Sequence, residues 1–209
     1  MEARGQPEFA LFQRTLFSTY LRPSAVLRLA TLDVLSPPPS VAGMWLHAVL
    51  VVSPEEREIA TKTGSFHMSV TLDNARDLEL GNDLCRLGDH RLAQAGVAAD
   101  DDTGAVTPFG LRARDFLDAW MSVVVHLQVT EICDTPYKGR HGGPSRDIQL
   151  QLRSLDAVQR RGHWKSLQSL RNYEKSGRLH KIVAKVPGWV MSLGERYRKI
   201  FLAPYPRSF

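Results

Sequence analysis

Three residues in the C-terminal half of this 209-residue chain could together carry out chemistry on a phosphate: Arg140, His163 and Tyr173. They follow one another at intervals of 23 and 10 residues. An arginine can bind phosphate oxygens, a histidine can transfer a proton, and a tyrosine hydroxyl can attack as a nucleophile. Taken alone, each has an ordinary interpretation: a surface cation, a residue after a helix-stopping glycine, and a packed helical tyrosine. Their combination and spacing make them a candidate site for chemistry on a phosphate.

The residues around these three form short motifs: Tyr-Lys-Gly-Arg-His at 137–141, Gly-His-Trp at 162–164 and Arg-Asn-Tyr-Glu-Lys at 171–175. These motifs resemble the C-terminal catalytic motif of the tyrosine recombinases, or phage integrase family. In that family a box of the form His-x-x-Arg-His is followed by Gly-His or Gly-Trp, and then by the nucleophilic tyrosine. The residues of these motifs are more similar to those of retroelement-type eukaryotic members than to those of bacterial members. The resemblance is strong over 136–179 and extends back to about residue 10.

Two more candidate residues enter through this resemblance. The stretch 20–25, Tyr-Leu-Arg-Pro-Ser-Ala, is similar to the family's first arginine box and makes Arg22 a candidate. The stretch 60–64, Ala-Thr-Lys-Thr-Gly, is similar to the β-hairpin on which the family carries a catalytic lysine, here Lys62. From spacing alone, Arg22 is a surface arginine near a helix start, and a lysine at a hairpin tip is usually a solubility feature.

The chain departs from the family pattern at two positions. Ala25 stands where an acidic residue often follows the first arginine. Tyr137 stands where the second box usually begins with a histidine. A tyrosine hydroxyl can still form hydrogen bonds there, but it carries no positive charge near neutral pH. Tyr137 is therefore still a candidate catalytic residue. The tyrosine in place of histidine also favours an alternative to an active recombinase, namely a weakened or inactive DNA-binding protein derived from one.

The resemblance implies a mechanism of DNA cleavage and rejoining without metal or other cofactor. Arg22 and Arg140 would clamp the non-bridging oxygens of the phosphodiester, where negative charge develops. Tyr173 would be the nucleophile and would form a covalent 3′-phosphotyrosyl link. Lys62 would protonate the departing 5′ oxygen, and His163 would hydrogen-bond the phosphate or assist proton transfer.

Charge is distributed unevenly and favours double-stranded DNA as the partner. From Lys138 to Lys199 there are 15 Lys and Arg against 4 Asp and Glu, whereas the remainder has 12 against 18. A solvated basic face is the alternative, but a basic half on an acidic chain is typical of polyanion binding. The residues expected to contact the DNA backbone are Arg146, Arg160, Arg161, Lys165 and Arg171.

The hydrophobic pattern predicts an α+β fold that is mostly helical, with one small antiparallel sheet. Alternation and apolar runs place strands at Trp45–Val52 and Phe66–Leu72. Helical spacing covers much of Pro7–Ala30, including Tyr20, and later Arg114–Val129. In the basic half, Gly142, Gly143 and Pro144 are expected at a helix entry, close to a phosphate. Two helices are expected beyond it. Ser154 caps the first, which ends at Gly162 with Arg160 and Arg161 facing outward; Ser166 caps the second, with Leu167 and Leu170 inward.

The predicted domain organisation is a recombinase-like catalytic domain at 1–180 and a C-terminal helical tail at 181–209. The family's usual N-terminal DNA-binding domain is expected to be absent. The tail is either packed on its own domain or docked on a second copy in a homo-oligomer on DNA. No apolar run is long enough to span a membrane, and two cysteines without a CxxC motif favour a reducing, intracellular location with DNA.

Overall fold

The computed structural model describes residues 7–37, 47–54, 68–74, 79–97, 106–171, 173 and 176–201. These residues are mostly helical and include one small antiparallel sheet, so the predicted α+β class is confirmed. The helices are α1 Pro7–Thr19, α2 Pro23–Val26, α3 Leu80–Ala95, α4 Ala113–His126, α5 Tyr137–Gln149, α6 Leu155–Arg161, α7 Ser176–Val183 and α8 Gly188–Phe201. The strands are β1 Val34–Leu35, β2 Val49–Val52 and β3 Met68–Thr71.

The sheet has the order β1-β2-β3, with both neighbouring pairs antiparallel. Val49 pairs with Thr71 and Val52 with Met68, so β2 and β3 are the two predicted strands in shortened form. Residues 45–46 and 66–67, where those predictions began, lie outside the described part. The short strand β1 was not predicted, because two residues carry too little pattern to recognise.

The N-terminal core forms around α1, whose apolar face is buried as its spacing predicts. Phe12 and Leu16 are fully buried, and the ring of Phe12 packs edge-on against Phe109 at 5.1 Å between centroids. The helix ends at Thr19 rather than continuing through Tyr20, since Tyr20 has a left-handed backbone with φ 61°. That conformation is uncommon for a residue with a side chain, and it redirects the chain towards Arg22.

Helix α5 packs closely against α1, and this contact explains the two glycines that follow the second box, Gly142 and Gly143. A Cβ atom on Gly143 would lie 2.0 Å from the carbonyl oxygen of Phe17, and one on Gly142 would lie 2.9 Å from the Phe17 ring. Gly142, Gly143 and Pro144 lie in the middle of α5 and not at a helix entry, so that prediction is wrong. The small residues allow two helices to approach, and Pro144 leaves the carbonyl of Arg140 without its usual helical donor.

The C-terminal part of the described chain contains α7 and α8, and α8 lies within the stretch 181–209 that was predicted as a helical tail. The predicted boundary after residue 180 falls within α7. Trp189 on α8 contacts the ring of His126 at 6.3 Å but remains 45% exposed. Within the described ranges, no helix has the length and apolar character needed to cross a bilayer.

Candidate phosphate-binding site

A cavity of about 50 Å³ brings together residues that are far apart in the sequence. It is lined by side chains from α2, the sheet edge, α5 and the segment after α6, and among them are Arg22, Arg28, Arg140 and His163. Pockets for drug-sized ligands measure roughly 300–1,000 Å³. The cavity therefore suits a small anionic group and not a large organic molecule.

Arg140 is buried beside this cavity with no acidic partner in the described part of the chain. Its side chain is only 5% exposed, one terminal nitrogen donates to the carbonyl of Gly162 at 3.2 Å, and its Nε has no partner. The guanidinium lies 5.0 Å from the centre of the Trp164 ring. Burial, and to a lesser degree the charge of Arg22, lower the pKa of Arg140. A buried cation without a carboxylate is costly, and an anion in the cavity would compensate it.

His163 enters the cavity because of the way α6 ends. The N–H of His163 donates to the carbonyl of Arg160, and the N–H of Trp164 donates to the carbonyl of Gln159, both at 3.1 Å. This pair of bonds is a Schellman motif, whose left-handed position is His163, with φ 53°. Gly162 ends the helix as predicted, but it is not the left-handed residue. It is required because a Cβ atom there would lie 1.8 Å from the Trp164 ring.

The imidazole of His163 is suited to meet an anion. Its Nε2 is buried and has no hydrogen-bond partner. Burial, and then the charge of Arg140, lower the pKa of His163, so the ring is neutral at pH 7 in the absence of a ligand. A phosphate or sulfate would favour the charged form and could accept a hydrogen bond from the ring.

Arg22 lines the same cavity, although it lies 118 residues before Arg140 in the sequence. It is the N-cap residue of α2, with extended backbone, at the junction between two helices that its position predicted. Within the described residues, no hydrogen bond or ion pair joins its side chain to a carboxylate. Val52 and Met68, where β2 ends and β3 begins, also line the cavity. Lys62 belongs to the stretch between these strands and lies outside the described residues.

Tyr173 lies next to Arg140 but not in the cavity wall. Its side chain is 9% exposed and packs with Tyr20, Val158 and Leu170 in a second core cluster. Its hydroxyl is 2.6 Å from Nδ1 of His141. Burial raises the pKa of Tyr173 to about 12, although the charge of Arg140 acts in the opposite direction.

The segment before Tyr173 differs from the prediction. The helix expected after Ser166 is a single 3₁₀ turn, Leu167–Leu170, and the Ser166 side chain forms no capping bond. Leu170 is buried as predicted, whereas Leu167 is 47% exposed, so its inward placement is wrong. Only the last residue of this turn, Leu170, packs in the second core cluster. By contrast, Ser154 caps α6 as predicted, accepting a hydrogen bond from the N–H of Ala157 at 3.2 Å.

Tyr137 begins α5 and stands one helical turn before His141. Its ring lies edge-on to the His141 ring at 4.7 Å and 5.9 Å from the Arg140 guanidinium. Tyr137, Arg140 and His141 therefore share one face of α5, as residues three and four apart do on a helix. The sequence could have revealed His141 by this spacing, since the second box contains it, but it was not among the predicted site residues.

Two of the predicted DNA-contacting arginines are turned towards the protein. Arg161 was expected to face outward, yet its side chain is 7% exposed and donates to the carbonyl of Ser18 and to Asp73, at 2.9 and 2.8 Å. Arg146 donates to Asp147 and Asn74, at 2.6 and 3.3 Å. The outward placement of Arg161 is wrong because Asp73, which follows β3, binds its guanidinium group. Both arginines join a buried ionic network that ties α5 and α6 to the end of β3.

The other three predicted DNA contacts are exposed. The side chain of Arg160 on α6 is 75% exposed. Within the described part, its ion-pair partner is Asp156, at 2.8 Å on the same helix. Lys165 and Arg171 are also exposed, on either side of the 3₁₀ turn. These three positions flank the segment that joins His163 to Tyr173 and could contact a DNA backbone.

One aspect of the site was not predicted. Trp164 lies under the Arg140 guanidinium and 5.5 Å from the Tyr173 ring, so one indole connects the cavity to the tyrosine. Among the described residues, no three His, Cys, Asp or Glu side chains come together in a way that could hold a metal ion. The cavity itself presents cationic and neutral donors, a set suited to an anion.

No protein-family model matches this chain, and a comparison with curated proteins gives no significant match. The chemistry of the site therefore has to be inferred from its residues and their geometry.

The lowered pKa of His163 predicts how stability depends on pH in the absence of an anion. An unfolded histidine takes up a proton near pH 6.5, whereas the folded protein resists protonation of His163 until lower pH. Stability contributed by the neutral ring is therefore complete above about pH 6.5 and decreases as pH falls, by less than about 1.4 kcal/mol per pH unit. Thermal unfolding of the wild type should show this loss, and His163→Asn should reduce it.

Sulfate provides the complementary measurement, because its charge does not change between pH 5 and 7. It should stabilise the wild type more at pH 5 than at pH 7, since it would favour the charged imidazole. Arg22→Ala should weaken this effect, while Arg114→Ala, an exposed arginine paired with Asp118 on α4, should not. Equal stabilisation of the Arg22→Ala variant and the wild type would contradict an anion site in the cavity.

Proposed function

We propose that this chain cleaves and rejoins DNA strands through a covalent phosphotyrosyl intermediate, as a tyrosine recombinase-like enzyme. One observation carries the proposal. Arg22, Arg140 and His163 come from three separate segments and line one small cavity, and Arg140 is buried there without an acidic partner among the described residues. A phosphodiester carries a negative charge and could supply the anionic partner that Arg140 lacks in the described structure. Tyr173 stands beside the same arginine, on the side away from the cavity lining.

In the proposed reaction, the phosphodiester binds in the cavity with its non-bridging oxygens between Arg22 and Arg140. The arginines stabilise the negative charge that increases on these oxygens during attack. His163 donates a hydrogen bond to the phosphate from a ring that the protein otherwise holds neutral. The Tyr173 hydroxyl attacks phosphorus, and the 5′ oxygen leaves with a proton, for which Lys62 is the proposed donor.

Attack requires Tyr173 to move from its resting position. The hydroxyl is bound to His141 and the ring is held between His141 and Trp164, with centroid distances of 5.4 and 5.5 Å. Arg140 lines the cavity and acts on the Tyr173 hydroxyl, so its charge would attract a phenolate towards the phosphate. A modest displacement of the segment that carries Tyr173 therefore belongs to the proposal.

A second candidate function is sequence-tolerant DNA binding without cleavage. Two observations favour it: Tyr137 occupies the position of a histidine, and burial keeps Tyr173 protonated. In this case the cavity would hold a backbone phosphate without attacking it. The two candidates share DNA affinity and differ only in covalent chemistry.

The deciding experiment traps the intermediate on nicked duplex DNA. A nick placed just beyond the cleavage position lets the 5′-hydroxyl fragment diffuse away, so that the covalent complex accumulates. A pool with randomised sequence around the nick removes the need to know the target. Denaturing electrophoresis should show wild-type protein linked to DNA. Absence of any adduct from the pool, with DNA binding intact, would favour the second candidate.

Tyr137→His is expected to increase the rate of adduct formation. A histidine there could donate a hydrogen bond and carry a positive charge beside Arg140 and the bound phosphate. General acid–base groups typically contribute factors of about 10²–10⁴, so a gain of tenfold or more is expected. Single-turnover rates on the nicked pool measure it, with Tyr137→Phe as the control that lacks both properties. A histidine variant no faster than the phenylalanine variant would contradict this role for the position.

Binding to duplex DNA should weaken steeply as salt increases, because phosphate contacts release counterions. Replacing the exposed residues Arg160, Lys165 and Arg171 together by alanine should lower affinity for all sequences alike. The slope of log affinity against log salt should become shallower by up to about 3. Fluorescence anisotropy at several salt concentrations provides the measurement.

The matched control for this triple variant removes three other exposed cations, Arg112, Arg114 and Lys185. It changes net charge by the same amount but leaves the neighbourhood of the cavity untouched. If both triple variants lose the same affinity and the same salt slope, binding reflects net charge and not a surface beside His163 and Tyr173.

A further inference from the structure

His141 is the side chain that directly contacts the reactive atom of Tyr173. Its Nδ1 lies 2.6 Å from the phenolic oxygen, and the two rings are stacked with centroids 5.4 Å apart and an interplanar angle of 27°. His141 follows Arg140 on α5, so one helical turn carries both the arginine at the cavity and the histidine at the hydroxyl.

We propose that His141 is the general base that removes the proton from Tyr173 in its resting position, before the tyrosine moves to attack DNA, an inference that rests on the proposed function. The neutral imidazole accepts the phenolic proton at Nδ1. In the reverse, rejoining direction the imidazolium returns the proton to the tyrosine as the phosphotyrosyl bond breaks.

The surroundings of Tyr173 require such a base. The phenol is buried against Trp164 and Leu170, and its pKa is about 12, so on the order of 10⁻⁵ of the molecules carry a phenolate at pH 7. The charged and titratable side chains facing the hydroxyl in the described part are Arg140, Tyr137 and His141, all on α5. Of these three, only a histidine can take up a proton near neutral pH.

The other candidate bases are less well placed. His163 lines the cavity beside Arg140, where its ring meets the phosphate, and no contact joins it to Tyr173. Tyr137 occupies the position of the usual histidine, yet a tyrosine side chain has no ring nitrogen that could accept the proton. His141, one turn further along the same face of α5, supplies the function that Tyr137 cannot.

The proposed step transfers one proton and exchanges one bond at phosphorus. The O–H bond of Tyr173 breaks and its proton passes to Nδ1 of His141. The phenolic oxygen forms a bond to phosphorus, and the bond between phosphorus and the 5′ oxygen breaks with its electron pair. The 5′ oxygen then takes a proton from an acid of the site or from water. No oxidant, reductant or metal takes part.

The competing interpretation is that His141 only holds Tyr173 in place by a hydrogen bond. His141→Asn separates the two, because the amide oxygen can still accept the phenolic hydrogen bond near the position of Nδ1 but cannot take the proton. His141→Gln is the second variant, should the first fail to fold. His180→Asn, an exposed histidine on α7, is the matched control.

The experiment measures single-turnover adduct formation on the nicked duplex pool between pH 6 and 10. His141→Asn should be slower than the wild type by about 10²–10⁴ at pH 7. Its rate should then rise about tenfold per pH unit towards the pKa of Tyr173, because hydroxide or direct ionisation replaces the base. The wild-type rate should level off near neutral pH. A histidine that only positions the tyrosine would give a deficit that does not change with pH, which would overturn the proposal.

The outcomes distinguish this inference from the proposed function. No adduct from the wild type would overturn the proposed function, and the base with it. Equal adduct from wild type and His141→Asn would overturn the base alone. A measurement independent of activity is the ¹⁵N spectrum of His141, which should show Nδ1 without a proton and accepting a hydrogen bond. A proton on Nδ1 would overturn the proposal, since the ring would then be the donor.

Discussion

Tyr173→Phe should abolish the covalent protein–DNA adduct completely while DNA binding and the fold persist. The change removes one oxygen and leaves the ring that packs with Tyr20, Val158 and Leu170. The bond to His141 is lost, which costs about 0.5–1.5 kcal/mol of stability. Denaturing electrophoresis after incubation with the nicked duplex pool measures the adduct, and anisotropy measures binding.

Tyr197→Phe on α8 is the matched control, because it makes the same chemical change away from the cavity. It should leave adduct formation unchanged. Adduct of wild-type amount from the Tyr173→Phe variant would show that another residue is the nucleophile.

Arg140→Met is expected to lower activity strongly and to separate activity from stability. The thioether side chain fills a similar volume but cannot stabilise charge on the phosphate. Removal of one such donor typically lowers a rate by about 10²–10³. Thermal stability should remain equal or increase, since the variant no longer buries a cation that has no acidic partner in the described structure. Adduct kinetics and thermal unfolding together provide the test.

Arg161→Met is the matched comparison, because Arg161 is an equally buried arginine with the opposite environment. Its guanidinium is bound by Asp73 and by the carbonyl of Ser18. Breaking such a pair from one side should cost about 3 kcal/mol or more and lower the unfolding temperature. If Arg140→Met destabilises the protein as much as Arg161→Met does, Arg140 is a structural residue and the cavity loses its functional interpretation.

These two arginines illustrate how stability and function compete in this fold. Within the described part of the chain, the cavity contains several features that stability alone would not favour: a buried cation without a carboxylate, an unpaired Nε2 on His163, and a left-handed histidine backbone. Strained or unsatisfied groups persist where the surrounding structure enforces them, and they concentrate at functional sites. Here Trp164 and the Schellman motif after α6 enforce the arrangement.

Local patterns were sufficient to predict several parts of the molecule. The apolar run Trp45–Val52 and the alternating stretch Phe66–Leu72 predicted the two longer strands, and Ser154 predicted the start of α6. The shared cavity of Arg22, Arg140 and His163 was expected from the resemblance to tyrosine recombinases. Spacing along the chain could not have provided it, since Arg22 and Arg140 are 118 residues apart.

Other parts depended on contacts that no local pattern records. Arg161 appeared to face outward because its helix position is polar, but Asp73 lies 88 residues earlier and binds it. Gly142 and Gly143 suggested a helix entry close to a phosphate, yet they lie within α5 and fit the close approach of α1. The left-handed position after α6 fell on His163 and not on the adjacent glycine, because the indole of Trp164 occupies the space beside Gly162.

The most direct test of the proposed chemistry is to locate the covalent bond in the trapped complex. After nuclease and trypsin digestion, mass spectrometry should find a 3′-linked nucleotide on the tetrapeptide 172–175, with fragmentation placing the phosphate on Tyr173. That result would establish the nucleophile and the polarity of cleavage together. A nucleotide on any other residue, or no modified peptide from a pool that the protein binds, would contradict the proposal that this chain cleaves DNA through Tyr173.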